Sequence, residues 1–366
     1  VFLHTSWRSG GTWLWGLCRA EARVRAFYEP LHEDVGRLRE ADIQALRPDA
    51  WRSNHAATAP YFEEYRALIA PGGRGVPGYA PRFAFDDFFR EPEAEDPELE
   101  AYVTGLLAAG HAHGAVPVLK FCRSLGRTAW FERRFPAALH AVVLRDPAAQ
   151  FHSIRQLQQN RNRYFSVAPI LVLARNAQHP AVRQACDALG LRLPELHSHD
   201  MAYGVETVWR HIRRQDEAER YRGFLAFWTL SALWALRGEA LLIDLARLAD
   251  SPAYRAEAAA ALGAPIGALP ELMPRPASSG ASLRMPGQAA AHGAATHLAQ
   301  AYAGRLRSDR LAWVLSCLDG GDLKAHFAPP SRTVRQPVWT AAAVAYARAL
   351  QPVRRLHGKL VKNVLF

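Results

Sequence analysis

Short apolar runs punctuate this chain: Val1 to Thr5, Arg25 to Tyr28, Val116 to Phe121, Leu139 to Leu144 and Ala240 to Asp244. Stretches of helical periodicity, such as Tyr221 to Leu236, alternate with them. Runs this short suit strands covered on both faces when they are apolar throughout. Parallel neighbours also need a helical crossover between them. The expected fold is therefore α/β, a central parallel sheet flanked by helices, with helical insertions. On such sheets ligands gather beyond the carboxyl ends of the strands. Thr5, Tyr28, Phe121 and Leu144 would thus deliver the residues after them to one rim.

The first strand feeds a polar bend, Ser6-Trp7-Arg8-Ser9-Gly10-Gly11, and then an amphipathic helix over Thr12 to Cys18, with Thr12 near its cap. Strand, glycine bend and helix in that order form a phosphate-binding unit, so the sheet is expected to be P-loop-like. Arg8 adds charge and a planar donor fork. Read by itself, the same turn is also what a ligand-free helix cap looks like. The nucleotide-hydrolase version of the turn, G-x-x-x-x-G-K-[S/T], is absent; the only Gly-Lys pair is Gly358-Lys359. That argues against an ordinary ATPase or kinase.

A formal charge of +11 is unevenly spread. Residues 323–366 hold eight Lys/Arg and no acid, so 11 − 8 leaves about +3 for all that precedes them. A body so nearly balanced lacks the surface that nucleic acid would need. Residues 326–366 read as a basic helical tail, with Val353, Leu356, Leu360 and Val364 on one face and Arg354, Arg355, Lys359 and Lys362 around it. Such a helix could pack on the body, dock on an acidic partner or lie on an anionic membrane surface. No run is long and apolar enough to span a bilayer. Four scattered cysteines without C-x-x-C spacing fit a reducing, cytoplasmic setting, membrane-peripheral if the tail binds lipid. His111/His113 and His197/His199 lack companions at metal-ligand spacing, so no metal site is expected. The opening Val1, already inside an apolar run, reads as a chain whose true start precedes it.

Residues 1–325 are expected to form one domain with two insertions, roughly 33–115 and 155–220. The first contains a loop from Pro71 to Gly78 and an acidic stretch from Glu91 to Glu100; the second reads as mostly helical and polar. A further loop is expected from Pro274 to Gly293.

Three segments in fixed order resemble the sulfotransferases that use 3′-phosphoadenosine-5′-phosphosulfate (PAPS). Ser6 to Leu14 looks like their 5′-phosphosulfate loop. Val143-Leu144-Arg145-Asp146-Pro147, followed by Ser153 eight residues after the Arg, looks like their 3′-phosphate motif. Phe27-Tyr28-Glu29-Pro30-Leu31-His32 is similar to the F-E-P-L-x-H segment of the carbohydrate branch, and Val118 to Arg123 to that branch's third strand. The resemblance covers residues 1–153, with weaker likeness at Phe227-Trp228 and over Ala240 to Asp250.

The resemblance implies a sulfotransferase that moves a sulfuryl group from PAPS to a hydroxyl acceptor, a carbohydrate in the nearest branch, without a metal. Arg8, Ser9, Gly10, Gly11, Thr12 and Trp13 would hold the phosphosulfate end, and Arg145 with Ser153 the 3′-phosphate. Arg284, in the Ser278 to Arg284 loop, would be a second ligand there. Arg8 would also stabilise charge on the bridging oxygen, and Lys120 would either neutralise the leaving side or form an ordinary strand-end ion pair. Trp7, Trp13 and Trp15 stand near the loop, to stack on adenine or to fill the core. The family's cytosolic branch places a His base two residues after the third-strand Lys, where this chain has Cys122. The base would then be Glu29, as in the carbohydrate and tyrosine branches; two alternatives stay open, that Glu29 is a structural carboxylate paired with Arg8 or Arg123, and that His32 is the base. Other departures are Arg8 for the commoner Lys and Gly11 for Ser/Thr. Peptide tyrosine or a small lipid or metabolite alcohol stays open as acceptor, as do a non-catalytic PAP-binding module and a nucleoside-triphosphate phosphotransferase on a related fold.

Overall fold

The computed structural model describes residues 1–46, 60–70, 72–112, 114–159, 162–263, 269 and 287–319. Arg284 and the basic tail lie outside the described residues.

Five strands form where the apolar runs stand: β1 (Phe2–Thr5), β2 (Val24–Tyr28), β3 (Val116–Phe121), β4 (His140–Leu144) and β5 (Leu241–Asp244). They make one all-parallel sheet in the order β2-β3-β1-β4-β5. The chain leaves β1 toward β2 on one side and leaves β4 toward β5 on the other. Connections that diverge from adjacent strands open a crevice at their carboxyl ends, the place where such sheets bind ligands. The bends after β1 and β4 flank that crevice.

Two apolar clusters hold the layers together. One joins β1, β2 and β3 to the helix Gly11–Ala20 and to aromatic residues of the first insertion, among them Tyr61, Tyr65 and Tyr102. The other surrounds the helix Glu217–Ala235, which a capping box of Asp216 and Glu219 starts and whose residues from Gly223 onward are buried on every side. No described helix is long and apolar enough to cross a membrane.

The sequence reading needs three corrections. The first helix begins at Gly11 with Gly10 as its cap, so Thr12 lies inside the first turn. Residues 155–220 are helical as expected but not uniformly polar. The helix Tyr164–Arg175 buries Val167 through Ala174 between the helices Met201–Ile212 and Glu217–Ala235. Finally, the loop expected to run to Gly293 gives way by Gln288 to the helix Gln288–Ala301, where helix-favouring alanines outweigh the glycine.

The first insertion is fastened by charge. Asp96 caps the helix Pro97–His111 through Leu99 N–H at 3.0 Å and takes a bidentate bond from Arg82 at 2.8 and 2.7 Å, with Arg90 as a third partner. The buried Arg127, just after β3, donates to the carbonyls of Phe83 at 2.6 Å and Asp87 at 3.2 Å. Carbonyl dipoles thus replace water around that guanidinium.

Within the sheet, His4 and His140 stack in a buried hydrogen-bonded file. His140 Nε2 lies 3.1 Å from the carbonyl of Phe135, which can only accept, so the proton is on Nε2. His140 Nδ1 then accepts from His4 Nε2 at 3.0 Å, and His4 Nδ1 accepts from the Ser124 hydroxyl at 2.8 Å. Both rings are neutral in this arrangement. Burial pulls His140 down to about 4 and His4 well below its ordinary value. A folded-state pKa below the unfolded one means that protons favour the unfolded chain. Stability should therefore be full above about pH 6.5 and fall toward about pH 4, by on the order of 3 kcal/mol from His140. Denaturant titrations at stepped pH should show that slope, and His140→Gln should flatten it.

Candidate functional site

The bend after β1 is shaped by contacts that only certain residues permit. Gly10 has φ 90°, and a Cβ there would stand 2.5 Å from Leu245. A Cβ on Gly11 would meet the Thr5 side chain at 2.5–2.7 Å, which explains why a hydroxyl-bearing residue is missing at that place. Arg8 adopts a left-handed backbone with φ 68°, unusual for a residue with a long side chain. Ser9 is turned inward. Its hydroxyl donates to Ser6 O at 2.9 Å and accepts from Ser6 N–H at 3.1 Å, while its own N–H reaches Ser6 O at 3.3 Å. Ser9 thus fixes the shape of the bend, and any donation from it to a ligand requires those bonds to open. Among the described residues no side chain caps the helix Gly11–Ala20, whose first-turn N–H groups face the rim with the positive end of its dipole. Trp7 and Trp15 are buried in the core, and Trp13 is part-exposed in the first turn.

Arg145 and Ser153 meet this bend directly. Arg145 Nη1 donates to the carbonyl of Arg8 at 3.2 Å, and Arg8 Nε donates to Ser153 Oγ at 3.2 Å. Ser153 accepts there and keeps its own proton to give. Gln150, one turn before Ser153 on the helix Pro147–Gln159, donates to Ser6 Oγ at 3.1 Å and Trp7 O at 2.7 Å. The indole of Trp228 fixes the backbone of Arg145 through its carbonyl at 2.9 Å. The Arg8 guanidinium lies 5.9 Å over the ring of Phe165. Two motifs 137 residues apart in sequence thus share one crevice.

Beside it, Glu29 ends β2 in a second left-handed turn, φ 47°, and is 2 % exposed. Its Oε1 pairs with Lys120 Nζ. Its Oε2 accepts from Cys122 N–H at 2.8 Å and from Arg123 Nη1 at 2.9 Å. Arg123 also reaches Glu33 Oε2 at 2.6 Å and the Tyr164 hydroxyl, which in turn donates to Glu33 Oε1 at 2.7 Å. Burial pushes the Glu29 carboxyl up, but Lys120 and Arg123 outweigh it and hold the group below the usual carboxylate range. Burial likewise opposes the cation at Lys120, and Cys122, Glu29 and Tyr28 raise it above its ordinary value. His32 is lowered by burial, and its Nδ1 accepts from Asp34 N–H at 3.1 Å, which puts the ring proton on Nε2. Of the pairings foreseen for Glu29, that with Arg123 is present; the cation on its other oxygen is Lys120.

Residues 8–13, 145 and 153 therefore stand together, and Glu29, Lys120 and His32 stand at the neighbouring strand ends. Sequence reasoning missed Thr5, Glu33, Gln150 and Tyr164. Only Gln150 carried a signal, since three residues before Ser153 puts both on one helical face. Among the described residues no three His, Cys, Asp or Glu side chains are grouped to hold a metal ion. No protein-family model, curated protein or solved structure matches the chain.

The Gly11 contact can be tested by itself. Gly11→Ser should lower stability by about 1–3 kcal/mol, the cost of overpacking. Adding Thr5→Ala should restore part of it, as read from thermal melts of the two single variants and the double.

Proposed function

We propose that the chain is a PAPS-dependent sulfotransferase with a P-loop-like core, transferring a sulfuryl group to a hydroxyl acceptor. One observation carries the reading. The bend that resembles a phosphosulfate loop and the arginine that resembles a 3′-phosphate ligand are in hydrogen-bond contact across the crevice between β1 and β4. Both anions of that nucleotide hang from one ribose, so their pockets have to adjoin. Left-handed backbone at Arg8 and Glu29 also supports it, since strain of roughly 1–3 kcal/mol per residue clusters at functional sites.

In this reading the N–H groups of Gly11 and Thr12, with Arg8, hold the 5′-phosphosulfate at the helix N-terminus. Arg145 and Ser153 take the 3′-phosphate, and Trp13, part-exposed beside the apolar core, would cover the base. As an oxygen of the acceptor forms its bond to sulfur, the bond from sulfur to the bridging oxygen breaks. Arg8 stabilises the charge left on that oxygen, and the proton of the acceptor hydroxyl passes to Glu29. Positioning and charge do most of this work, as in phosphoryl transfer. The saccharide class of acceptor follows from the resemblance at Phe27 to His32.

PAP, the desulfated nucleotide, should raise the melting temperature well above the effect of AMP; equal shifts would remove the reading. Arg145→Ala should weaken PAP binding roughly ten- to a hundredfold, the worth of a charge-assisted hydrogen-bond pair. Glu29→Gln should still bind PAP while transfer from labelled PAPS to a saccharide panel, followed by mass spectrometry, is lost.

A further inference from the structure

The two oxygens of Glu29 are not equivalent. Oε2 is anchored by two donors, the N–H of Cys122 and the guanidinium of Arg123. Arg123 in turn is fixed by Glu33 and Tyr164 and packed over the rings of Trp7 and Phe85 at 5.5 and 5.2 Å. Among the described residues Oε1 has a single partner, Lys120. Each carboxylate oxygen has two lone pairs; both of Oε2 are engaged and one of Oε1, so the oxygen for proton transfer is Oε1. Because Glu29 is buried, the ammonium beside it fills the room that an acceptor hydroxyl would need and has to give way.

Lys120 is built to do so. Its ammonium gives one proton to Glu29, a second to Cys122 Sγ at 3.1 Å, and turns its remaining face to the ring of Tyr28 at 4.5 Å. Each of those neighbours leads to the glycine bend. The Tyr28 hydroxyl lies 3.4 Å from Thr12 Oγ1. Cys122 Sγ lies 3.4 Å from Thr5 Oγ1, and the Thr5 side chain fills the space beneath Gly11. The cluster is balanced as it stands, Glu29 and Glu33 against Lys120 and Arg123. An anion seated on the bend adds negative charge on the Lys120 side, in a setting of low dielectric where such a charge counts strongly.

We infer that Lys120 is a positioning residue that covers Glu29 Oε1 until a 5′-phosphorylated nucleotide occupies the Gly10 to Thr12 turn, so that the base is competent only after the donor has bound. This rests on the sulfuryl-transfer reading and deepens it to an order of addition, donor before acceptor. Once Lys120 turns to the nucleotide, Oε1 is open to the acceptor hydroxyl. Its proton then has a place to go as the oxygen–sulfur bond forms and the sulfur–bridging-oxygen bond breaks.

Uncovering a carboxylate raises its proton affinity, so nucleotide binding should draw protons to Glu29. The groups facing Glu29 are Lys120 in β3, Cys122 and Arg123 just after it, His32 and Glu33 on its own turn, and the phenols of Tyr28, Tyr65 and Tyr164. His32 and Glu33 have ordinary pKa values within about a unit of the pH tested, which is why the Glu29 variant, which keeps both, serves as the reference. PAP binding would be measured by calorimetry in buffers of different ionisation enthalpy, near pH 5.5, which gives protons taken up per nucleotide. Wild type should take up a few tenths of a proton more than Glu29→Gln, with the phosphates of PAP contributing equally to both. Lys120→Met should bind PAP more weakly and lose the extra uptake, because its Glu29 is uncovered beforehand. Where Glu29→Gln folds poorly, Glu29→Gln/Lys120→Met removes both members of the pair and serves as the reference. Equal uptake by wild type and reference, with PAP bound, overturns the inference and leaves the nucleotide reading standing. PAP failing to bind wild type takes down both.

Discussion

The carboxylate of Glu29, held between Lys120 and Arg123, is the contact on which the rest of the structure turns. All three side chains are buried, and each is bearable only because the others are present. Removing one member of such a group leaves a charge without a counterpart, at a cost of about 3–5 kcal/mol. The group also joins separate parts of the molecule. It ties β2 to β3, the turn bearing Glu33 to the strand ends, and, through Tyr164, the second insertion to the sheet. The insertions are thereby fixed to the same rim that carries the glycine bend.

Sheet order gives that rim its chemistry. Because β1 and β4 are neighbours whose connections part in opposite directions, Arg8 and Arg145 end up on the two sides of one opening. The helix Gly11–Ala20 points its uncapped end into the same space. Two guanidiniums and a helix terminus make a strongly anion-attracting place. The two arginines and Ser153 satisfy part of their bonding on each other.

How much of this could be read from sequence follows the range of the interactions. Strands were legible because a buried parallel strand is apolar along its length, so Leu139 to Leu144 declares itself without any knowledge of partners. The helix Gln288–Ala301 was misread because glycines were weighed above the alanines around them. The bend was legible as a glycine turn, yet the inward rotation of Ser9 was not, since Ser6 O and a phosphate oxygen are equally good acceptors for its hydroxyl. Gly11 reads from the sequence only as a departure at a Ser/Thr position; the Thr5 side chain beneath it supplies the packing reason. At Cys122 the side chain drew attention, whereas the backbone N–H does the bonding to Glu29. Glu33 and Tyr164, 131 residues apart in sequence, had no local signature; only the folded chain makes them neighbours.

Arg8 and Glu29 share a further property, a backbone that glycine would adopt without cost. At Arg8, mutation to glycine would relieve that backbone; at Glu29 the same change would leave Lys120 and Arg123 without their counter-charge, a larger loss than the strain relieved. Keeping arginine at position 8 thus sets selection against backbone thermodynamics at one strand end, while the glutamate is held by its own partners. In diverging descendants of this chain, position 8 is where abandonment of the crevice would first be written.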